Sequence, residues 1–480
     1  MQKTVAVLGG GIGGLTACYH LSKSPQVSKM VLLEGSGRLG GWLNSTRRED
    51  GAVFERGPRG VRHVGAVGRN TLNMVSELGL ESELLIVSQQ NLASKNRFLY
   101  VGGQLHAMPT GLGGVMRTTP PFSRPLALSG LQDLLAPRGP EEDETVHSFV
   151  TRRLGKELAD LAVDCLCRGV FAGDCRALSV RSCFPPLFNL ERARRSLFLG
   201  MLFGAGGDTG TDVPPPPSAL ARRSQEEKWA QWSLRRGMQA LPEALGESLS
   251  RGGRVQIHTQ APVRRLELRA GGWEITLPDG TVTADHVISA LPAHALASAL
   301  PPTAQPLSDQ LRQIAMVTVA VVNLEYEGSV LPVPGFGHLI PSSEDRGVLG
   351  VVYDSVAFPQ HNRPGASTTR LTVMMGGAWF QEVFGNAEDV TERCIVDRAT
   401  QAVRAQLGVS AEPLWSSAAV LKDCIPQYHV GHWKRLENIR HYISHHNLPL
   451  TLVGASYDGV SVNDVIFGGR KAAESLVGGA

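Results

Sequence analysis

The apolar positions of this chain fall into runs of two distinct periods. Val5 to Leu8 is uninterruptedly apolar, which predicts a strand buried on both faces of a parallel sheet. Leu15 to Leu21 has helical spacing, and Met30 to Leu33 is a second buried strand. A helix is expected over 70–80, with Gly79 in a capping position. Residues 97–101 and 104–107 alternate about Gly102-Gly103, which predicts a hairpin. Val146, Phe149, Val150, Leu154, Leu158, Leu161 and Cys165 predict a helix within 141–168, with Asp143 as its N-cap. A helix start is expected at Gly237 to Pro242, with strands at 255–258, 263–268 and 284–290 and alternating strands through 314–376. The last elements are a strand over 450–455, a loop, and a helix from about Gly468. Residues 115–140 are rich in proline and leucine with little charge, and 204–218, with Pro214 to Pro217 in a row, predict a flexible or extended insert.

The chemistry begins between the first strand and the first helix. Gly9-Gly10-Gly11-Ile12-Gly13-Gly14 fits G-x-G-x-x-G, and Glu34 ends the second strand twenty residues after Gly14. Gly9 permits the sharp turn, Gly11 lets the backbone approach a pyrophosphate, and Gly14 lets the helix pack on the sheet. The pyrophosphate then meets free N–H groups at the positive end of the helix, and Glu34 accepts from a ribose diol. Two further side-chain-poor turns follow, Arg38-Leu39-Gly40-Gly41-Trp42 and Gly57-Pro58-Arg59-Gly60. A nicotinamide enzyme has no need of them, whereas FAD lies extended and buried against such backbone. The plain alternative for both is a surface turn.

At 480 residues and 42% hydrophobic the chain holds about three domains. A net charge of +3 gives no global attraction to nucleic acid. The short basic clusters at Arg192, Arg194 and Arg195, at Arg222 and Arg223, and at Arg235 and Arg236 read as solvated faces. Seven cysteines without C-x-x-C argue against a disulfide framework and against zinc. His441, His445 and His446 lack matching acids and read as loop histidines, so no metal is expected. No apolar run reaches the ~18 residues of a membrane span, and neither a signal peptide nor a transit peptide is expected.

The assembled set resembles the flavin amine oxidase superfamily. Arg38 to Gly41, the Asp285 to Pro292 strand ending in proline, and Leu450 to Ala473 carry that resemblance, which covers nearly the whole chain. Within it, residues 55–60, 96–100, 166–174, 335–344 and 454–460 are similar to the protoporphyrinogen-oxidising branch of the animal mitochondrial type. The resemblance implies an α/β fold: an FAD-binding Rossmann-like, doubly wound domain, a mixed-sheet substrate domain and a helical membrane-associating domain. The implied division is FAD segments at 1–92, 233–300 and 415–480, a helical segment at 93–203, the insert at 204–232, and a substrate segment at 301–414.

The same resemblance implies FAD contacts at Gly9, Gly10, Gly11, Ile12, Gly13, Gly14, Glu34, Trp42, Gly57, Pro58, Arg59, Gly60, Val263, Ala455, Val460, Ser461 and Val462. Ala455 stands where many amine oxidases carry an acid, and no cysteine lies in that motif, so the FAD is expected to be non-covalent. The implied substrate is protoporphyrinogen IX, a large, mostly apolar ring with two propionates. Its slot falls at Phe336, Gly337, Leu339 and Met374, with the Gly169 carbonyl toward the pyrrole N–H groups and Arg97 on a propionate. Taken alone, Phe336, Leu339 and Met374 read as core and Arg97 as a surface strand residue. The implied reaction, the penultimate step of heme biosynthesis, passes hydride to flavin N5 in three two-electron rounds and reduces three O2 to H2O2. No general base stands out. The implied setting is peripheral, on the mitochondrial inner membrane facing the intermembrane space, through 115–140 and 197–203, as a homodimer that hands its product to ferrochelatase. The alternatives are an amine oxidase or carotenoid-desaturase-like enzyme, which needs a different slot, and a non-catalytic FAD-binding protein, which needs neither Arg97 nor residues 336–339.

Overall fold

The structure, a computed structural model, describes residues 3–140, 142–194, 196–197 and 216–478. Most of the expected insert at 204–218 lies outside them, as do residues 198–203 of the apolar segment that begins at Leu197.

Five parallel strands form the nucleotide sheet in the order Leu450–Leu452, His286–Ser289, Lys3–Leu8, Val27–Leu33, Val255–His258. The apolar run at 5–8 is buried on both faces because side chains alternate. Val5 and Val7 face the helices Ile12–Ser22, Ala240–Gly252 and Val462–Gly478. Ala6 and Leu8 face a three-stranded antiparallel sheet built on Arg265–Arg269, Gly272–Leu277 and Gly280–Ala284.

A seven-stranded mixed sheet forms the second body. Its spine is Met316–Glu327, flanked by Thr368–Gly377 and Trp415–Pro426, and it continues through Val348–Val352, Gly337–Leu339 and the hairpin Phe98–Val101/Gln104–Ala107. The sheet therefore gathers strands from both sides of the 301–414 segment. Ala320, Val322 and Leu324 pack toward the helix Glu392–Leu407, and Val319 and Val321 pack toward Ala172 and Trp379. A helical body, from Ala127–Leu135 to Pro185–Arg194, covers that second face.

Four expectations are corrected here. The helix expected within 141–168 starts at Val146, capped by Thr145 Oγ1 accepting from the Ser148 N–H, not by Asp143. Asp143 instead accepts from the Ser179 hydroxyl and the Gly431 N–H, tying three distant segments. That helix also breaks at Gly155, whose φ of +102° ends it before a second run from Lys156. The final helix starts at Val462, six residues early, because Ser461 and Asp464 form a reciprocal cap. Gly469 serves packing: a Cβ on it would stand 2.7 Å from the Gly13 carbonyl oxygen. His441 and His445 lie in the helix His432–His445, not in a loop.

The helical body is held by a buried charge cluster. Arg153 is 0% exposed, and it donates to Glu191 Oε1 (2.8 Å), the Asp133 carbonyl (3.0 Å) and Asp133 Oδ1 (3.1 Å). Replacing Arg153 by methionine takes the guanidinium from two buried carboxylates, leaving Glu191 to Arg152 and Asp133 to the Ser196 hydroxyl, and is expected to cost about 3 kcal/mol. Denaturant unfolding of Arg153→Met measures it, and an unshifted midpoint contradicts it.

Candidate functional site

The glycine turn is set by backbone contacts. Gly9 has a φ of +98°, and its N–H donates to the Leu33 carbonyl (2.8 Å). A Cβ on Gly14 would collide with the Gly9 carbonyl oxygen, so the helix lies against the turn with no room for a side chain. Gly11, by contrast, faces open space, with only the Gly41 Cα within 3.9 Å of its notional Cβ. The helix Ile12–Ser22 has no side-chain cap, so the N–H groups of Ile12 and Gly13 remain available to an anion.

Glu34 is turned into this cradle. Its two oxygens accept from the Gly10 and Ser36 N–H groups, each at 2.7 Å, and a carboxylate retains further lone pairs for a diol. Arg38 ties the following turn by donating to the carbonyls of Leu39, Gly41 and Leu43. Gly40 N–H donates to the Gly10 carbonyl (2.8 Å), which lays the two glycine turns side by side. Trp42 follows, 43% exposed.

The Gly57-Pro58-Arg59-Gly60 segment is locked to the seven-stranded sheet. Arg59 Nη1 donates to Asp354 Oδ1 (2.8 Å), and Asp354 Oδ2 accepts from the Thr372 hydroxyl (2.6 Å). Asn323 Nδ2 donates to Thr372 Oγ1 (2.8 Å) and to the Glu55 carbonyl (3.1 Å), closing the circuit. Burial pushes the Glu55 carboxyl up to about 7, against the lowering effect of the Met238 N–H and the Ser45 hydroxyl. Arg59 Nη2 is buried with no partner among the described residues. An orphaned donor beside bare glycine backbone fits an acceptor-rich cofactor.

The C-terminal motif closes by one hydroxyl. Tyr428 donates to the Ala455 carbonyl and accepts from the Gly459 N–H (2.9 Å), and its ring stacks on His432 at 4.2 Å. Val460 and Val462 are half-buried, Ser461 caps the helix, and Asn463 Nδ2 donates to the Arg62 carbonyl (2.8 Å). Val263, outside any strand, packs half-buried against the core beneath the three-stranded sheet.

The apolar slot is built by one anchored helix. Arg168 in Asp164–Phe171 is buried, and Nη2 donates to the carbonyls of Asp345 (2.6 Å) and Val348 (2.8 Å), just before and at the start of the strand Val348–Val352. This pins the helix so that a Cβ on Gly169 would meet the Leu339 side chain at 3.1 Å. Leu339 pairs with Gly350, and Gly350 with Met374, so the two side chains lie in one row across three strands. Phe336, Leu339 and Met374 are all half-buried, not fully buried. Gly337, buried at φ +145°, admits no Cβ against Val351 and Val352. The Gly169 carbonyl lies in the last helical turn, where carbonyls lack an intrahelical donor, and the Gly173 N–H goes to Cys167 instead. Arg97 is exposed with its guanidinium over the Phe336 ring at 5.8 Å.

Sequence reasoning missed Leu166 and Val170, which flank Gly169 and are 43% and 45% exposed. It also missed Asp354, Arg168 and Tyr428. The i,i+4 spacing of Leu166 and Val170 around Gly169 gave a signal for the first two; nothing local marks the other three.

Comparison with known proteins adds three findings. The family description "Flavin containing amine oxidoreductase" matches residues 12–477. The chain is 54% identical to the protoporphyrinogen oxidases of Macaca fascicularis and of Homo sapiens, each alignment covering 100% of this chain and 99% of the relative. It shares its fold, at a TM-score of 0.77, 23% identity and full coverage of both chains, with the solved structure of a candidate protoporphyrinogen oxidase from Exiguobacterium.

The open space at Gly11 generates a test. Gly11→Val places two methyl groups in that open space, and the purified variant is expected to be colourless while its circular dichroism matches wild type. A normal yellow spectrum contradicts the cradle.

Proposed function

We propose that this chain, which belongs to the family of flavin-containing amine oxidoreductases, oxidises protoporphyrinogen IX to protoporphyrin IX. It is a flavin-dependent oxidoreductase, and the finer reading is non-covalent FAD held at the residues from Gly9 to Gly14, Glu34, Trp42, Gly57 to Gly60, Val263, Ala455 and Val460 to Val462. The observation that carries the reading is the end-to-end match at 54% identity. The half-open apolar slot supports it.

When bound, the flavin supplies the two-electron oxidation, with dioxygen as the final acceptor and H2O2 as the product of each round. The residues of the chain bind and orient. Leu166, Val170, Phe336, Leu339 and Met374 offer apolar walls to the ring, which desolvates it. The Gly169 carbonyl accepts from pyrrole N–H groups and so sets the ring's tilt. Arg97 offers a planar fork to a propionate. Orientation of this kind is worth several powers of ten in rate without any acid or base from the chain. An amine oxidase or carotenoid desaturase reading gains nothing from Arg97, and a non-catalytic protein gains nothing from the slot.

The membrane reading has a physical support. The helix Ala127–Leu135 leaves Leu128, Leu131 and Leu135 on one face, and Leu131 and Leu135 are 58% and 87% exposed. Met116, nearby in sequence, is 66% exposed. No helix among the described residues is long and apolar enough to cross a membrane. Such a face suits the surface of a bilayer. The inner mitochondrial membrane, a homodimer and transfer to ferrochelatase complete the proposal, on the resemblance alone.

Two experiments test these readings. Purified yellow protein with protoporphyrinogen in air is expected to raise porphyrin fluorescence above the autoxidation blank; no excess overturns the function. The double variant Leu131→Asp, Leu135→Asp is expected to lose co-sedimentation with anionic vesicles while keeping detergent-assayed activity. Undiminished co-sedimentation would remove this helix from the membrane contact.

A further inference from the structure

We propose that Gln427 and Tyr428 form a two-residue clamp that sets the spacing between the substrate slot and the cofactor, as positioning residues for the oxidation. The inference rests on the functional reading above, in which Gly169 orients the substrate and residues 455–462 close on the flavin.

The clamp follows the end of the long strand Trp415–Pro426. Its backbone is fixed from two sides. The Gln427 N–H donates to the Ala315 carbonyl (2.8 Å), and the Tyr428 carbonyl accepts from the Ser179 N–H (2.8 Å) in the helical body. Both side chains are buried, and they grip different elements. Gln427 Nε2 donates to the carbonyl of Phe171 (2.8 Å), the last residue of the slot helix and two positions beyond Gly169. Gly173 makes room for this amide, since a Cβ there would collide with Gln427 Oε1. Arg168 already ties the helix to the seven-stranded sheet, so Gln427 is its second anchor, and Gly169 lies between the two.

Tyr428 grips the cofactor side. Its hydroxyl donates to the Ala455 carbonyl and accepts from the Gly459 N–H (2.9 Å), which closes the loop on one oxygen. Burial pushes this hydroxyl up, so it stays a donor. The loop lies against the glycine cradle: a Cβ on Gly13 would stand 3.8 Å from the Gly454 Cα and 3.0 Å from Val465 Cγ1. Val460 packs on the cluster that contains Phe171, and the Tyr428 and Phe171 rings are 6.3 Å apart. Two consecutive residues thus bond the helix that carries the Gly169 carbonyl and the loop that meets the cradle. Directional bonds fix a separation that apolar contact alone leaves loose. A misplacement of about 1 Å between reacting groups costs about 100-fold in rate.

The test uses the full-length, FAD-loaded protein. Tyr428→Phe keeps the ring and removes the hydroxyl. Without oxygen, reduction of its flavin by saturating protoporphyrinogen is expected to slow about tenfold or more. Its flavin content, and reoxidation of its reduced flavin by O2, are expected to stay within about twofold of wild type. With no substrate present, amide exchange over residues 455–462 is expected to quicken. Gln427→Met keeps the volume and removes the donor, and is expected to show the same kinetic split. The double variant is expected to be no slower than the slower single variant within about twofold, because both act on one spacing. An unchanged rate of anaerobic reduction in Tyr428→Phe overturns the inference. Equal slowing of reduction and reoxidation overturns it too, since that reports an altered flavin. Unquickened exchange, loss of flavin, or fully multiplicative losses in the double variant each overturn it as well. Where Gln427→Met yields no soluble protein, Tyr428→Phe decides alone. A wild type whose flavin is not reduced by protoporphyrinogen overturns the parent functional reading, a result distinct from all of these.

Discussion

The site depends on the ion pair between Arg59 and Asp354, which ties the Gly57–Gly60 segment to the seven-stranded sheet through Thr372, a sheet that shares no ladder with the nucleotide sheet. The nucleotide sheet positions the glycine turns and the seven-stranded sheet positions the slot, so their relative angle decides whether a bound cofactor and ring face one another. Apolar packing alone is non-directional and fixes such an angle poorly. The directional bonds run from Glu55 through Asn323, Thr372 and Asp354 to Arg59, and Arg370 adds a second seam by donating to the carbonyls of Val53 (3.0 Å) and Phe358 (2.7 Å). Burial pushes the Arg370 guanidinium down to about 10. Taking these charges out of water costs stability. Alignment is what they supply in return.

The sequence made the parallel strands legible because their requirement is local: Val5 to Leu8 and Met30 to Leu33 are apolar at every position, and only a sheet covered on both faces buries them. The Phe98–Ala107 hairpin was legible for the same reason, since Gly102 and Gly103 both take positive φ. Boundaries that depend on tertiary partners were not. Asp143 has the chemistry of an N-cap, yet Ser179 and Gly431 compete for its carboxylate and Thr145 caps instead. Gly468 looks like a helix start, yet the helix begins six residues earlier, and it is Gly469 that lets the last helix close on the first.

The glycine cradle and Glu34 were readable from spacing, whereas the slot residues were readable only through resemblance. Phe336, Leu339 and Met374 have no local mark that separates them from core. The partners that set the geometry are farther still. Arg59 and Asp354 are 295 residues apart, and Arg168 reaches the Asp345 carbonyl across 177. No periodicity connects such pairs. They become visible once the fold shows which buried donors have found acceptors and which, such as Arg59 Nη2, have not.

The slot's partial exposure and the apolar character of the residues named for it point the same way. A row of apolar side chains left half-open on an internal sheet face forfeits about 25 cal/mol for each Å² that a ligand would cover. His338 lies beside Leu339 in the same strand, but the pleat turns it to the opposite face. There it bonds Tyr353 and Gln406, at 2.8 Å each, and burial pushes it down to about 4. The nearest imidazole in sequence is therefore neutral and engaged away from the slot. With walls of leucine, valine, phenylalanine and methionine and one free carbonyl at Gly169, the chain contributes shape, dryness and charge at the rim. None of those named residues is an acid or a base, and an oxidation supplied by a cofactor is the kind of reaction that such residues serve.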